Sequence, residues 1–182
     1  MKHFIQFLTY FRIMIAPIIF LLIILNFYGW ALLLTLIATS SDFWDGFLAR
    51  RYGLETSLGS ILDPIADKIL VTFLILSLSL TMSSAYIGFA GGLILIREFW
   101  VSALRDINAR ENNIEATRVT FLAKIKTFLQ LTSFLLILCG LYTNNSLLIF
   151  IGNITLLASL IVTLQTGLQY TVNTFKFLKS RN

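Results

Sequence analysis

Six apolar runs follow one another along this chain, at approximately 8–25, 30–50, 58–80, 85–104, 119–141 and 147–170. Each is near the ~20 residues that a helix needs to cross a bilayer. In lipid the backbone must satisfy its own polar groups, so runs of this kind fold as helices. The expected fold is all-α: a polytopic bundle of six transmembrane helices, preceded by a short interfacial segment over residues 1–7 that carries Lys2 and His3. Composition agrees, with 57% hydrophobic and 13% charged residues, against about 25% charged in soluble domains. The 182 residues suit one domain spanning 1–182. The lone cysteine, Cys139, rules out an intramolecular disulfide and reads as packing. No small-residue cleavage site follows the first run, so it reads as a retained span and not a signal peptide.

The charges between the runs set an expected orientation. Residues 26–29, 81–84 and 142–146 carry none. The N-terminus, the link at 52–57 with Arg50 and Arg51 before it, the connector 105–118 and the tail with Lys176, Lys179 and Arg181 carry the rest. By the positive-inside rule both termini face the cytoplasm. The formal charge of +5 is explained by that bias, and nucleic acid is not expected as a partner. The lipid bilayer is.

One stretch breaks the apolar pattern. Asp42, Asp45, Asp63 and Asp67 fall within 42–68, inside the second and third runs. A carboxylate at membrane depth costs roughly 2.5–3.5 kcal/mol on the insertion scale. On a helix Asp42 and Asp45 lie about 60° apart, with Gly46 and Ala49 on their face. Asp63 and Asp67 lie about 40° apart, with Gly59 beside them. Two helices thus each offer a pair of carboxylates flanked by small residues. Hard oxygen ligands suit Mg²⁺ or Mn²⁺, and the small residues leave room for a phosphate. Without a cation, carboxylates about 4 Å apart repel by roughly 4 kcal/mol at an effective dielectric near 20. Counted from the outer ends of their runs, the four lie ~18 to ~26 Å deep, at one level in the cytoplasmic half. A proton relay or ion path is the alternative for such a cluster.

Asp42, Asp45, Gly46, Ala49, Arg50, Gly59, Asp63 and Asp67 stand in the spacing D-x2-D-G-x2-A-R-x8-G-x3-D-x3-D. This resembles the signature of the CDP-alcohol phosphotransferase family. The resemblance implies a site for two metal ions on Asp42, Asp45, Asp63 and Asp67, with Asp67 also the catalytic general base. It implies that the diphosphate of a CDP-linked lipid binds there, that an acceptor alcohol attacks, and that CMP leaves. Gly46, Arg50, Thr56 and Gly59 match family positions that contact the CDP group. Gln6, Thr9 and Arg12 resemble an N-x2-T-x2-R pattern of one branch, with Gln6 where Asn is usual, and place Gln6 and Thr9 among the CDP-lipid contacts. The stretches 95–106 and 124–127 resemble the same branch, although Ala123 replaces a usual Gly. That branch uses CDP-diacylglycerol and sn-glycerol 3-phosphate. Phosphatidylglycerol, inositol phosphate and serine are the alternative acceptors within the family, and a cation transporter is the remote alternative outside it. The resemblance also implies a homodimer and a bacterial inner-membrane location, with the site on the cytoplasmic side.

The basic residues within the runs point to the acceptor. Arg12, Arg97, Lys126 and Lys124 lie ~21, ~18, ~24 and ~27 Å from the outer ends of their runs, level with the aspartates. They either balance the carboxylates or reach for the inner surface, or they hold an anion. The third reading makes Arg97, Lys124 and Lys126 a phosphate pocket, closed from the cytoplasm by Arg105 and Arg118.

Overall fold

The structure is a computed structural model. It describes residues 2–52, 57–111, 113 and 121–181; the side chains of 2–8, 42–52, 57–61, 123, 180 and 181 fall outside that description. Six helices occupy the described residues: α1 Lys2–Ile24, α2 Tyr28–Tyr52, α3 Ser57–Thr81, α4 Ala85–Arg110, α5 Phe121–Thr143 and α6 Ser146–Arg181. Four of them contain stretches long and apolar enough to cross a bilayer, and α1 and α2 contain the shorter apolar stretches Thr9–Ile24 and Tyr28–Ser41. The chain is a multi-pass membrane protein.

Three boundaries differ from the sequence reading. The interfacial segment is not a separate element, because α1 runs unbroken from Lys2. Residues 2–16 contain neither Gly nor Pro, and a helix once nucleated extends by one bond per residue. The connector's first half continues α4 to Arg110. The basic tail continues α6 to Arg181, well past the end of its apolar run.

The three uncharged turns share one construction. Asn26, Ser83 and Asn144 take φ of 63°, 47° and 52°. In each case the next residue's N–H reaches back five residues: Phe27 to Leu22 O at 2.8 Å, Ser84 to Ser79 O at 3.0 Å and Asn145 to Gly140 O at 2.9 Å. A left-handed residue past the helix end satisfies carbonyls that otherwise lack partners. The following helix is then capped at once. Ser84 Oγ accepts from the Ile87 N–H at 3.3 Å, and Asn145 Oδ1 accepts from the Leu147 N–H at 3.0 Å. At the first turn, Tyr28 Oη donates to Asn26 Oδ1 at 2.5 Å.

Each helix packs chiefly on two others, in the circular order α1, α2, α5, α6, α4, α3. Contacts between named residues give the directions. Phe20 and Phe73 meet edge to face at 5.7 Å, and the pairs described below advance together, so α1 and α3 run parallel. Ser133 Oγ donates to Gly152 O at 2.9 Å and Ser159 Oγ to Lys126 O at 3.2 Å, so α5 and α6 run antiparallel. Small residues set the closest approaches. A Cβ on Gly152 would meet Ile137 Cγ1 at 2.6 Å and Ser133 O at 3.2 Å, and one on Gly91 would meet Ile75 at 2.2 Å.

The burial pattern is that of a lipid-facing surface. Phe89, Phe121, Phe128, Met14 and Leu168 are exposed, while Thr9, Arg12, Arg97, Lys126, Gln130 and Ser133 are buried. Apolar side chains face outward where the solvent is hydrocarbon, and polar groups pair inside. Trp30 and Tyr142 are exposed beside the first and third turns, where amphipathic rings suit the membrane interface.

Candidate active site

Two of the four signature aspartates have described side chains, and α1 meets both. Thr9 Oγ1 donates to Asp63 Oδ1 at 2.7 Å. Arg12 Nη1 donates to Asp67 Oδ1 at 2.5 Å. The carboxylates sit one turn apart on α3, the donors just under one turn apart on α1, and Ala66 is buried between the aspartates. The small side chain lets the parallel helices come close. Arg12 is fully buried, whereas the Asp67 side chain is half exposed. The exposed carboxylate faces a cavity of about 230 Å³, which Arg12 and Asp67 line together with Thr39 of α2 and Thr127 and Gln130 of α5.

Hard oxygen donors one turn apart, with Asp67 open to a polar-edged cavity, suit a cation such as Mg²⁺ or Mn²⁺. Asp42 follows Thr39 by three residues in α2. The side chains of Asp42, Asp45, Arg50 and Gln6, and the surroundings of Gly46 and Gly59, lie outside the described residues, as do Thr56 and Arg118 altogether.

A second charged cluster joins α4, α5 and α6. Arg97 Nη1 and Lys126 Nζ both donate to Oε1 of Glu98, the former at 2.9 Å. Arg97 Nη2 donates to Thr166 Oγ1 of α6 at 2.6 Å. The Arg97 and Arg105 guanidinium groups each lie 5.9 Å from the centre of the buried Tyr170 ring, within cation–π reach. Gly167 makes room for the Arg97 stem, since a Cβ there would stand 2.8 Å from Arg97 Cγ. The structure therefore brings together three of the predicted acceptor residues, Arg97, Lys126 and Arg105, around groups the sequence reading did not single out. Lys124 is exposed on α5.

Glu98 is the main residue that reading missed. Its signal was present: a carboxylate inside an apolar run, as for the aspartates. Trp100 donates its indole N–H to Thr171 Oγ1 at 2.9 Å. Asn108 donates to Thr174 Oγ1 at 2.7 Å, extending a polar seam along parallel α4 and α6.

Apolar outward faces, helices paired through buried polar contacts, and carboxylates braced beside an internal cavity define a polytopic membrane protein with a built polar site. The chain belongs to the CDP-alcohol phosphatidyltransferase family, whose model matches residues 3–165. The match reaches into α6, beyond 124–127, the last stretch read above as resembling the family. Among similar proteins, one from Rickettsia typhi is 38% identical over 93% of this chain and 96% of its own length. One from Blochmanniella floridana is 34% identical over 91% and 87%, and one from Salmonella choleraesuis 30% identical over 90% of each. All three are named CDP-diacylglycerol–glycerol-3-phosphate 3-phosphatidyltransferase.

Proposed function

We propose that this chain transfers the phosphatidyl group of CDP-diacylglycerol to sn-glycerol 3-phosphate, giving phosphatidylglycerophosphate and CMP. The observation that carries the reading is the signature pair Asp63 and Asp67, braced on α3 beside a cavity, in a chain whose relatives of nearly equal length share one activity name. Asp42, Asp45, Asp63 and Asp67 hold two Mg²⁺ or Mn²⁺ ions. Bound there, such ions neutralise the diphosphate and polarise the phosphorus next to diacylglycerol. Gln6, Gly46, Arg50, Thr56 and Gly59 form the CDP-lipid side of the site, and Thr9 supports it through Asp63, to which its hydroxyl donates.

The acceptor hydroxyl oxygen forms a bond to that phosphorus, and the bond to the CMP oxygen breaks. Asp67 takes the hydroxyl proton, for which a carboxylate within hydrogen-bond reach suffices. Arg12 fixes the carboxylate against α1 while this happens. Arg97, Arg105, Arg118, Lys124 and Lys126 provide the positive field for the acceptor's phosphate. Arg suits bidentate contacts, and Lys acts as a point charge. The chain works as one domain of six spans, as a homodimer in a bacterial inner membrane, with both termini and the site cytoplasmic.

The test is CMP release from CDP-diacylglycerol by purified protein, with glycerol 3-phosphate, phosphatidylglycerol, inositol phosphate and serine offered in turn. Turnover is expected with glycerol 3-phosphate alone, and it should vanish in chelator and return with Mg²⁺ or Mn²⁺. Preference for phosphatidylglycerol, inositol phosphate or serine overturns the assignment. Arg118→Ala and Lys124→Ala should raise the KM for glycerol 3-phosphate far more than that for CDP-diacylglycerol.

A further inference from the structure

We infer that Thr9 and Arg12 are positioning residues that orient the α3 carboxylates for cation binding, α1 acting as the brace behind the site. The inference rests on the reading of Asp63 and Asp67 as metal ligands. Its own support is the register. Thr9 to Asp63 and Arg12 to Asp67 are separated by 54 and 55 residues, so the two contacts advance together along parallel helices. Each α3 carboxylate receives a donor from α1, on Oδ1 in both cases.

Burial gives the direction. Thr9 is 1% exposed and Arg12 fully buried, while Asp67 is half exposed at the cavity. Both donors are covered, and Asp67 is the open member of its pair at the cavity. A hydroxyl covered in this way that donates to Asp63 can act on a ligand through Asp63. A buried guanidinium is strongly disfavoured unless paired, so the Arg12–Asp67 pair resists rotation of the carboxylate. Groups that orient metal-ligating side chains typically change metal affinity 10–100-fold when removed.

The experiment is Mn²⁺ titration of the full-length protein in detergent, followed by electron paramagnetic resonance without substrate. Thr9→Val, which keeps the shape and removes the donor, should weaken Mn²⁺ binding about tenfold, and Thr9→Ser should restore it. Arg12→Gln should weaken it similarly, with Arg12→Lys intermediate. In turnover assays, excess Mn²⁺ should recover Thr9→Val while the KM for CDP-diacylglycerol stays near that of the parent. Unchanged Mn²⁺ affinity in Thr9→Val and Arg12→Gln, with Asp63→Asn still impaired, overturns the bracing role alone. A raised KM for CDP-diacylglycerol at unchanged Mn²⁺ affinity does the same, and makes Thr9 a direct lipid contact. Unchanged Mn²⁺ binding in Asp63→Asn removes the metal reading and the brace with it. These binding results hold whichever acceptor the enzyme uses.

Discussion

At the scale of single residues, Glu98 holds two cations at once. Its Oε1 receives Arg97 and Lys126 together, and both cations are nearly buried. Removing the carboxylate strands them. Glu98→Ala should lower stability by on the order of 3 kcal/mol, the scale for breaking a buried pair from one side. Adding Lys126→Met should recover part of the loss, because a whole buried pair is replaced far more cheaply than half of one. Thermal unfolding of the purified single and double variants in one detergent decides this. A double variant less stable than Glu98→Ala would show that Lys126 is held by something other than Glu98. The acceptor's phosphate, in the proposed reaction, meets cations already organised around this carboxylate.

At the scale of elements, the three turns explain how tightly the hairpins close. Each ends its first helix with a left-handed Asn or Ser where Gly is the commoner choice. Asn tolerates this conformation through local hydrogen bonding, whereas Ser has less help. Ser83→Gly should therefore stabilise the protein by up to about 1 kcal/mol, and Ser83→Val should destabilise it by at least as much. Asn26→Gly should have a smaller effect. Midpoints of thermal unfolding across the three variants check the order. Gly152 fails differently under substitution. A side chain there meets Ile137 and the Ser133 carbonyl, so Gly152→Val should push α5 from α6 at a cost of roughly 1–3 kcal/mol.

At the scale of the whole molecule, helix direction and charge lead to a topology that can be measured. The Asn26, Ser83 and Asn144 turns belong to uncharged segments, and Arg110 and the tail lie at opposite helix ends from them. With Cys139 replaced by Ser, an impermeant thiol reagent on intact cells should label Ser83→Cys. Arg110→Cys should react only after lysis. The reverse pattern would invert the orientation and put the site on the outer face.

The apolar runs determined that the chain is helical and where it turns, since a bilayer of fixed thickness fixes the length of a helix that must satisfy its own backbone. The spacing of Asp42 to Asp67 was legible because those residues lie on two helices consecutive in the chain, where local periodicity places residues on a face. Depth counted along each run put Arg12 within the level of the aspartates, and in the structure Arg12 pairs with Asp67. Their partners were not legible. Thr9 with Asp63, Arg12 with Asp67, Lys126 with Glu98 and Arg97 with Thr166 are 54, 55, 28 and 69 residues apart. Which of them touch depends on the rotation and slide of one helix against another. No stretch of sequence encodes that; it follows from the packing of Ala66, Gly152, Gly167 and the other small residues that set how closely the helices approach.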